Sequence, residues 1–208
     1  MARPRRTPGR DSRALVLSAA AAEFAERGYD AARVDRIAAK ARVNKAMIYY
    51  HFQSKAELYV EVLRGMFLAV GSRTRAIVDG PGSPEDKLDA WILAIVTEAS
   101  ARPWFPPVML RELAAAASHL DPQTLHMADD VFASLRELLA EGQRAGVFRD
   151  VDPLLTHMTI VPAVLLFFAR QRVVARRPRG APGLTAARNQ DQFVRHMQDI
   201  AQRMLRKD

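Results

Sequence analysis

The 208 residues carry 31 Lys and Arg against 23 Asp and Glu, a formal net charge of +8, and 49% of them are hydrophobic. That is enough apolar material for an ordinary core, which excludes wholesale disorder, and the absence of cysteine excludes a disulfide framework, thiolate metal sites and a cysteine nucleophile. The charge is lopsided: residues 1–58 hold 12 basic and 6 acidic side chains, against 19 and 17 in residues 59–208, which points to a polyanionic partner at the N-terminal end.

Glycine and proline are sparse and cluster at joints: Pro4/Pro8/Gly9, Pro81/Gly82/Pro84, Pro103/Pro106/Pro107, and Pro178 to Gly183. Between the joints apolar residues recur at helical spacing without alternating β-branched runs, so the expected fold class is all-α. Residues 1–9 read as a flexible basic arm. Arg3, Arg5, Arg6 and Arg10 suit either minor-groove tracking or nonspecific attraction to phosphate. Leu17, Ala20, Ala21 and Phe24 then give one helix a buried stripe, which Gly28 stops. Ser54 to Glu57 is an S-x-x-E capping box opening a helix to about Asp79, and Ser83-Pro84 starts another reaching about Ala101. Asp121-Pro122 and Asp152-Pro153 each set a capping oxygen before a proline in the first helical turn. Helices are expected near 107–118, 122–145, 153–176 and 189–206, with Pro162 kinking or delaying its own. The longest apolar stretch, Met158 to Ala169 with Thr159 included, has 12 residues. A bilayer span needs about 18–20, so a buried helix is expected. The basic N-terminus MARPRRTPGR is not followed by an apolar signal core. The expectation is a soluble cytoplasmic protein with no membrane partner.

Residues 34–52 are the most informative. Val34, Ile37, Ala38 and Ala41 form one buried stripe on a short helix, Arg42-Val43 makes a tight connection, and Asn44 caps a second helix, Lys45 to Phe52. Ile48 and Phe52 share the inward face of that helix. Ala46, Met47 and Tyr50 project outward, with Lys45 and Tyr49 on the flanks. Two short helices with a sharp turn, after a longer packing helix, describe a helix-turn-helix whose second helix enters a major groove. Lys45 and Lys55 stand at helix starts, where charge and free N–H groups can meet phosphate. Tyr49 and Tyr50 offer hydroxyls to phosphate and a ring to a thymine methyl.

Phe24-Ala25-Glu26-Arg27-Gly28-Tyr29, Ile37-Ala38, Val43-Asn44-Lys45, Tyr49-Tyr50-His51-Phe52 and Lys55-x-Glu57-Leu58 resemble, in that order, the tetracycline-repressor (TetR) family over residues 12–60. The resemblance implies a homodimeric, ligand-responsive transcriptional regulator binding double-stranded DNA. Its N-terminal three-helix domain (10–53) would be joined to a larger helical effector-binding and dimerisation domain (54–208). Carried over by residue, the groove-facing positions are Lys45, Ala46, Met47 and Tyr50, and the phosphate-contacting positions are Arg33, Tyr49, His51 and Lys55. Three positions depart from the family pattern. Arg33 replaces the usual Ser or Thr cap, Arg42 stands at the turn glycine and is itself a candidate phosphate contact, and Met47 replaces a small polar residue.

Beyond residue 60, Trp91, Trp104, Phe105, Met109, Leu113, Met127, Phe132 and Met158 are candidates to line an adaptable apolar cavity for an effector, or are plain core. His126, His157, Glu98, Arg102 and Arg111 are polar groups that could orient a ligand, or are surface or satisfied core groups. Val161 to Val174, with Val164, Phe167 and Phe168 foremost, and Phe193, Met197, Ile200 and Met204 form apolar stripes on the last two helices. In the family these helices build a four-helix dimer interface, the alternative being packing within one subunit. No cofactor is expected. Metal-dependent or nucleophilic catalysis has no constellation here: there is no His-x-x-x-His pair and no glycine-rich phosphate loop, and Asp121-Pro122 separates His119 from His126. The leading function is therefore an effector-released repressor of a near-palindromic operator. The alternative is a DNA-binding nucleoid or accessory protein without an effector.

Overall fold

The computed structural model describes residues 8–175 and 189–207. Among them nine helices follow one another: α1 (Pro8–Ala31), α2 (Val34–Ala41), α3 (Lys45–His51), α4 (Lys55–Asp79), α5 (Pro84–Ala101), α6 (Phe105–Ala114), α7 (Pro122–Arg144), α8 (Pro153–Val174) and α9 (Gln190–Leu205). The fold is all-α. Most starts are set locally, by a side-chain oxygen accepting one of the first free backbone N–H groups. Asn44 accepts from Met47 (2.7 Å), Ser54 from Glu57 (3.0 Å), Ser83 from Asp86 (3.1 Å), Asp121 from Thr124 (2.8 Å), Asp152 from Leu155 (2.9 Å) and Asn189 from Gln192 (2.7 Å). At Ser54 the reciprocal half of the box goes one residue back, with Glu57 accepting from the N–H of Gln53.

Helices α2 and α3 pack on α1, while α4 packs on α1 near its start and on α5 and α7 further along. At 1.5 Å per residue its 25 residues extend roughly 37 Å, so one rigid rod carries the three-helix head and enters the larger bundle. Val16, Ala20, Ala21 and Phe24 of α1 are buried, and Leu17 is half-buried. Gly28, at φ 78° and ψ 174°, leaves the helical region where only glycine turns without a Cβ penalty. In the bundle Trp91 is wholly buried, and its indole N–H donates to Ser134 Oγ at 2.9 Å. Lys87, also buried, donates to the Val78 carbonyl and to Glu141, which ties the end of α4 to α5 and α7.

Four expectations are corrected. Pro8 and Gly9, expected in a flexible arm, belong to α1; Arg3, Arg5 and Arg6, and the joint Pro178 to Gly183, lie outside the described residues. Helix α6 ends at Ala114 rather than near 118, because Ala116 and Ala117 adopt left-handed φ of 54° and 55°. The Ala117 N–H turns back to the Glu112 carbonyl at 2.7 Å. Helix α8 starts at Pro153 and continues through Pro162, so the proline does not delay it. It is also not a buried helix: only 28% of the apolar window Pro153–Gln171, which by length and composition alone could cross a bilayer, is buried. It packs on α5, α6 and α7 and leaves Leu154, Leu155, Met158, Leu166 and Val173 exposed.

The apolar stripes on α8 and α9 divide accordingly. Val164, Phe167 and Met197 are buried within their own chain, with Phe167 stacked on Phe193 at 4.0 Å, so these are core rather than free interface. Phe168, Phe193 and Met204 are half-buried, and Ile200 is exposed. Leu166 and Val173, within the same apolar run, project beside them. A 3.6-residue period reveals that a helix has an apolar face, not which of two apolar faces its own subunit covers.

Candidate functional site

The surface around α3 is built from a rigid base. Ile48 and Phe52 are 1% exposed and anchor the helix. Beneath α2, the fully buried Glu23 carboxylate of α1 receives Lys40 at 2.7 Å, Arg27 at 3.3 Å and Arg36 at 3.9 Å. The hydrogen bond to Glu23 leads in raising the Lys40 pKa. Lys40 and Arg36, both partly exposed, thus tie α2 to the buried carboxylate of α1, and α3 follows from the turn after α2. Arg42 sits in that turn at φ 56°, ψ 41°, the left-handed conformation glycine would take without strain, and its N–H closes α2 onto the carbonyls of Ala38 and Ala39.

Outward from this base stand Lys45, Ala46, Tyr49 and Tyr50, all exposed (Tyr50 by 80%), with Met47 half-buried. Arg33 and Arg42 are exposed and, among the described residues, have no ion-pair partner. Arg33 begins α2 without a side-chain cap. Lys45 is held by a carboxylate the sequence reading passed over. Asp35, on α2, approaches its Nζ to 2.9 Å, and that hydrogen bond leads in raising the Lys45 pKa. A phosphate must displace Asp35 to claim the charge. His51 turns the other way: its Nε2 lies 2.8 Å from Ser12 Oγ of α1.

Lys55 requires a correction. Its ammonium donates to the carbonyls of Tyr29 (3.0 Å), Asp30 (3.3 Å) and Ala32 (3.4 Å), and sits 4.4 Å from the centre of the Tyr29 ring. It caps the end of α1 instead of facing outward as a phosphate clamp. Its place at the start of α4 suggested an anion site. The carbonyls that claim it lie 23 to 26 residues away, beyond any local signal.

The larger domain holds a cavity of about 340 Å³ between α4, α5, α6, α7 and α8. Of the eight effector candidates Phe105, Met109, Leu113 and Met158 line it. Trp91, Trp104, Met127 and Phe132 do not: Trp91 is pinned in the core, Trp104 packs its edge on Phe105, and Phe132 meets the His157 ring at 5.6 Å. Phe67, Val131 and Leu165 are among the further wall residues, and helical spacing could not tell them from other core residues. His157 lines the cavity with a pKa lowered by burial. Pro162, another wall residue, offers no N–H to the Met158 carbonyl one turn earlier. Of the other polar candidates, Glu98 pairs with Arg73 and Arg102, and His126 is exposed.

Helix α6 joins the two regions. Phe105, Met109 and Leu113 face the cavity, while Arg111 donates to the carbonyls of Phe24 (3.2 Å) and Ala25 (2.9 Å), just before the Gly28 break in α1. Glu112 is 2% exposed and accepts from the Tyr59 hydroxyl of α4 at 2.6 Å, with His119 Nδ1 at 2.9 Å. Burial, then this bond, drives the Tyr59 pKa well above the ordinary phenol range. Sequence reading missed Tyr59 and Glu112 altogether, since neither lies in a motif.

Residues 16–62 match the family described as bacterial regulatory proteins, tetR family, and residues 84–201 match a tetracyclin repressor-like C-terminal domain. The chain is 32% identical over 146 residues to the HTH-type transcriptional repressor SCO4008 of Streptomyces coelicolor, covering 68% of this chain and 70% of that protein. It is 28% identical to the HTH-type transcriptional repressor NicS of Pseudomonas putida, covering 74% and 73%. The solved structure of the ketosteroid transcriptional regulator KstR2 of Mycobacterium tuberculosis superposes with a TM-score of 0.71 at 26% identity, over 94% of this chain and 95% of that one.

Proposed function

The chain belongs to the TetR family of DNA-binding transcriptional regulators, and from that premise we propose that it is a repressor released from a near-palindromic operator by a small apolar or aromatic effector. In this reading α1 to α3 form the DNA-reading unit (residues 10–53) and the remainder, from Ser54, the effector-binding and dimerisation unit. The observation that carries it is the exposed face of α3, with Lys45, Ala46, Tyr49 and Tyr50 presented on a helix rooted by buried Ile48 and Phe52. Lys45, Ala46, Met47 and Tyr50 enter the major groove, and Met47 offers apolar contact, suited to a thymine methyl. Tyr49, Arg33 and Arg42 contact phosphate, as does the Lys45 ammonium at the start of α3 once freed from Asp35, with His51 at the edge of the surface. No catalytic role is part of this reading.

The dimer forms through the outward faces of α8 and α9, where Leu166, Val173 and Ile200 are exposed. It spaces two copies of α3 about one DNA turn apart. An effector in the cavity displaces α6, whose Arg111 and Glu112 hold α1 and α4, and so changes the separation of the heads. Coupling of about 1–3 kcal/mol weakens DNA binding about 5- to 150-fold. The apolar cavity also supports this reading over a nucleoid or accessory role, which has no use for one. Selection of bound sequences from a random DNA pool is the test. The expected result is an enriched inverted repeat bound with strong salt dependence; recovery of unrelated sequences at uniform affinity would refute the operator reading.

A further inference from the structure

Every side chain on the wall of the 340 Å³ cavity is apolar except that of His157. The imidazole packs on the edge of Phe132 and, among the described residues, has no hydrogen bond or ion pair. Burial without a compensating charge lowers its pKa, so it stands neutral at pH 7 with one N–H donor and one acceptor nitrogen. The ring is half-buried at the cavity wall, and an occupant bearing one suitably placed oxygen gains there the one side-chain hydrogen bond the wall can give. No Lys or Arg lines the cavity. A carboxylate or phosphate carried into it would lose its hydration and meet no counter-charge.

We propose that His157 is the specificity-determining residue of this cavity, and that the effector is an uncharged, largely apolar molecule whose single keto or hydroxyl oxygen hydrogen-bonds to the imidazole. Free carboxylates of the same size are excluded. This inference rests on the reading of the cavity as the effector site and adds to it the charge and hydrogen-bonding class of the ligand. A cavity of this volume falls in the range that encloses small drug-sized molecules, and one polar anchor in an apolar wall orients such a ligand without requiring a charge.

The test uses the full-length protein and N-phenyl-1-naphthylamine, an uncharged fluorophore, displaced at pH 8 by 1-decanol, 2-decanone or decanoate. Decanol and decanone are expected to displace it, and decanoate to be weaker by at least about tenfold. His157→Phe should keep the fluorophore affinity and lose about three- to tenfold in decanol and decanone affinity, the worth of one hydrogen bond; His157→Gln should recover part of the loss. Displacement by decanoate as effective as by decanol overturns the proposal. So do equal losses for fluorophore and alcohols in both variants, which would make the ring a packing group only. Failure of the fluorophore to bind, or binding undiminished in a folded Ala128→Phe variant that fills the cavity, brings down the effector-site reading itself, and the proposal with it.

Discussion

Replacing Lys55 by methionine keeps the aliphatic stem and removes an ammonium that caps three carbonyls of the α1–α2 connection and rests on the Tyr29 ring. Only the 3.0 Å bond is of full strength. A charged donor to a carbonyl contributes about 1.5–3 kcal/mol, the ring contact about 0.5–1 kcal/mol, and the half-exposed position argues for the lower ends, giving about 2 kcal/mol. With a urea dependence of about 2.5 kcal/mol per molar, the unfolding midpoint should fall by about 0.8 M at fixed protomer concentration. The slope of log affinity against log salt for operator DNA should not change, because this charge faces the protein. Lys45→Met should do the reverse. Its midpoint stays at the wild-type value, and the slope becomes shallower by about 0.9 per lysine, hence about 1.8 for a dimer on two half-sites. Urea unfolding followed by circular dichroism and salt-titrated fluorescence anisotropy read the two quantities separately. A Lys55→Met protein of unchanged stability with the shallower salt slope would refute the inward assignment and restore Lys55 to the DNA surface.

Gly142→Ala should destabilise the protein by about 1–3 kcal/mol in the same unfolding assay, although alanine favours a helix by about 1 kcal/mol. The new Cβ would lie 2.0 Å from a ring carbon of Phe148, itself 3% exposed and unable to withdraw freely; an unchanged or raised midpoint would contradict this. Arg42→Gly should raise the midpoint by the equivalent of about 0.5–1 kcal/mol, relief of a left-handed arginine set against glycine's larger unfolded-state entropy. The same substitution should weaken DNA binding and flatten its salt dependence. His157 has a folded pKa below its ordinary 6.5, so the unfolded chain takes the proton first, and stability contributed by the neutral ring is lost as pH falls below about 6.5 towards the folded value. His157→Phe should flatten the stability profile over that window, by up to about 1.4 kcal/mol per pH unit; parallel profiles would count against it.

The starts of most helices, the helix-turn-helix and the exposed cluster at Lys45, Ala46, Tyr49 and Tyr50 were legible in the sequence, because caps, turn residues and a four-residue apolar stripe all act within one or two turns. A short, self-contained motif exposes its chemistry to local reading. Tertiary structure decided what depends on a partner far along the chain. It turned Lys55 inward onto carbonyls of α1. It also chose which face of α8 is covered, burying Val164 and Phe167 and exposing Leu166 and Val173, and it sorted Phe105 and Met109 into the cavity wall and Trp91 into the core. Composition and spacing specify that a side chain is apolar or charged, whereas the direction it faces is settled by whichever distant surface gains most from covering it.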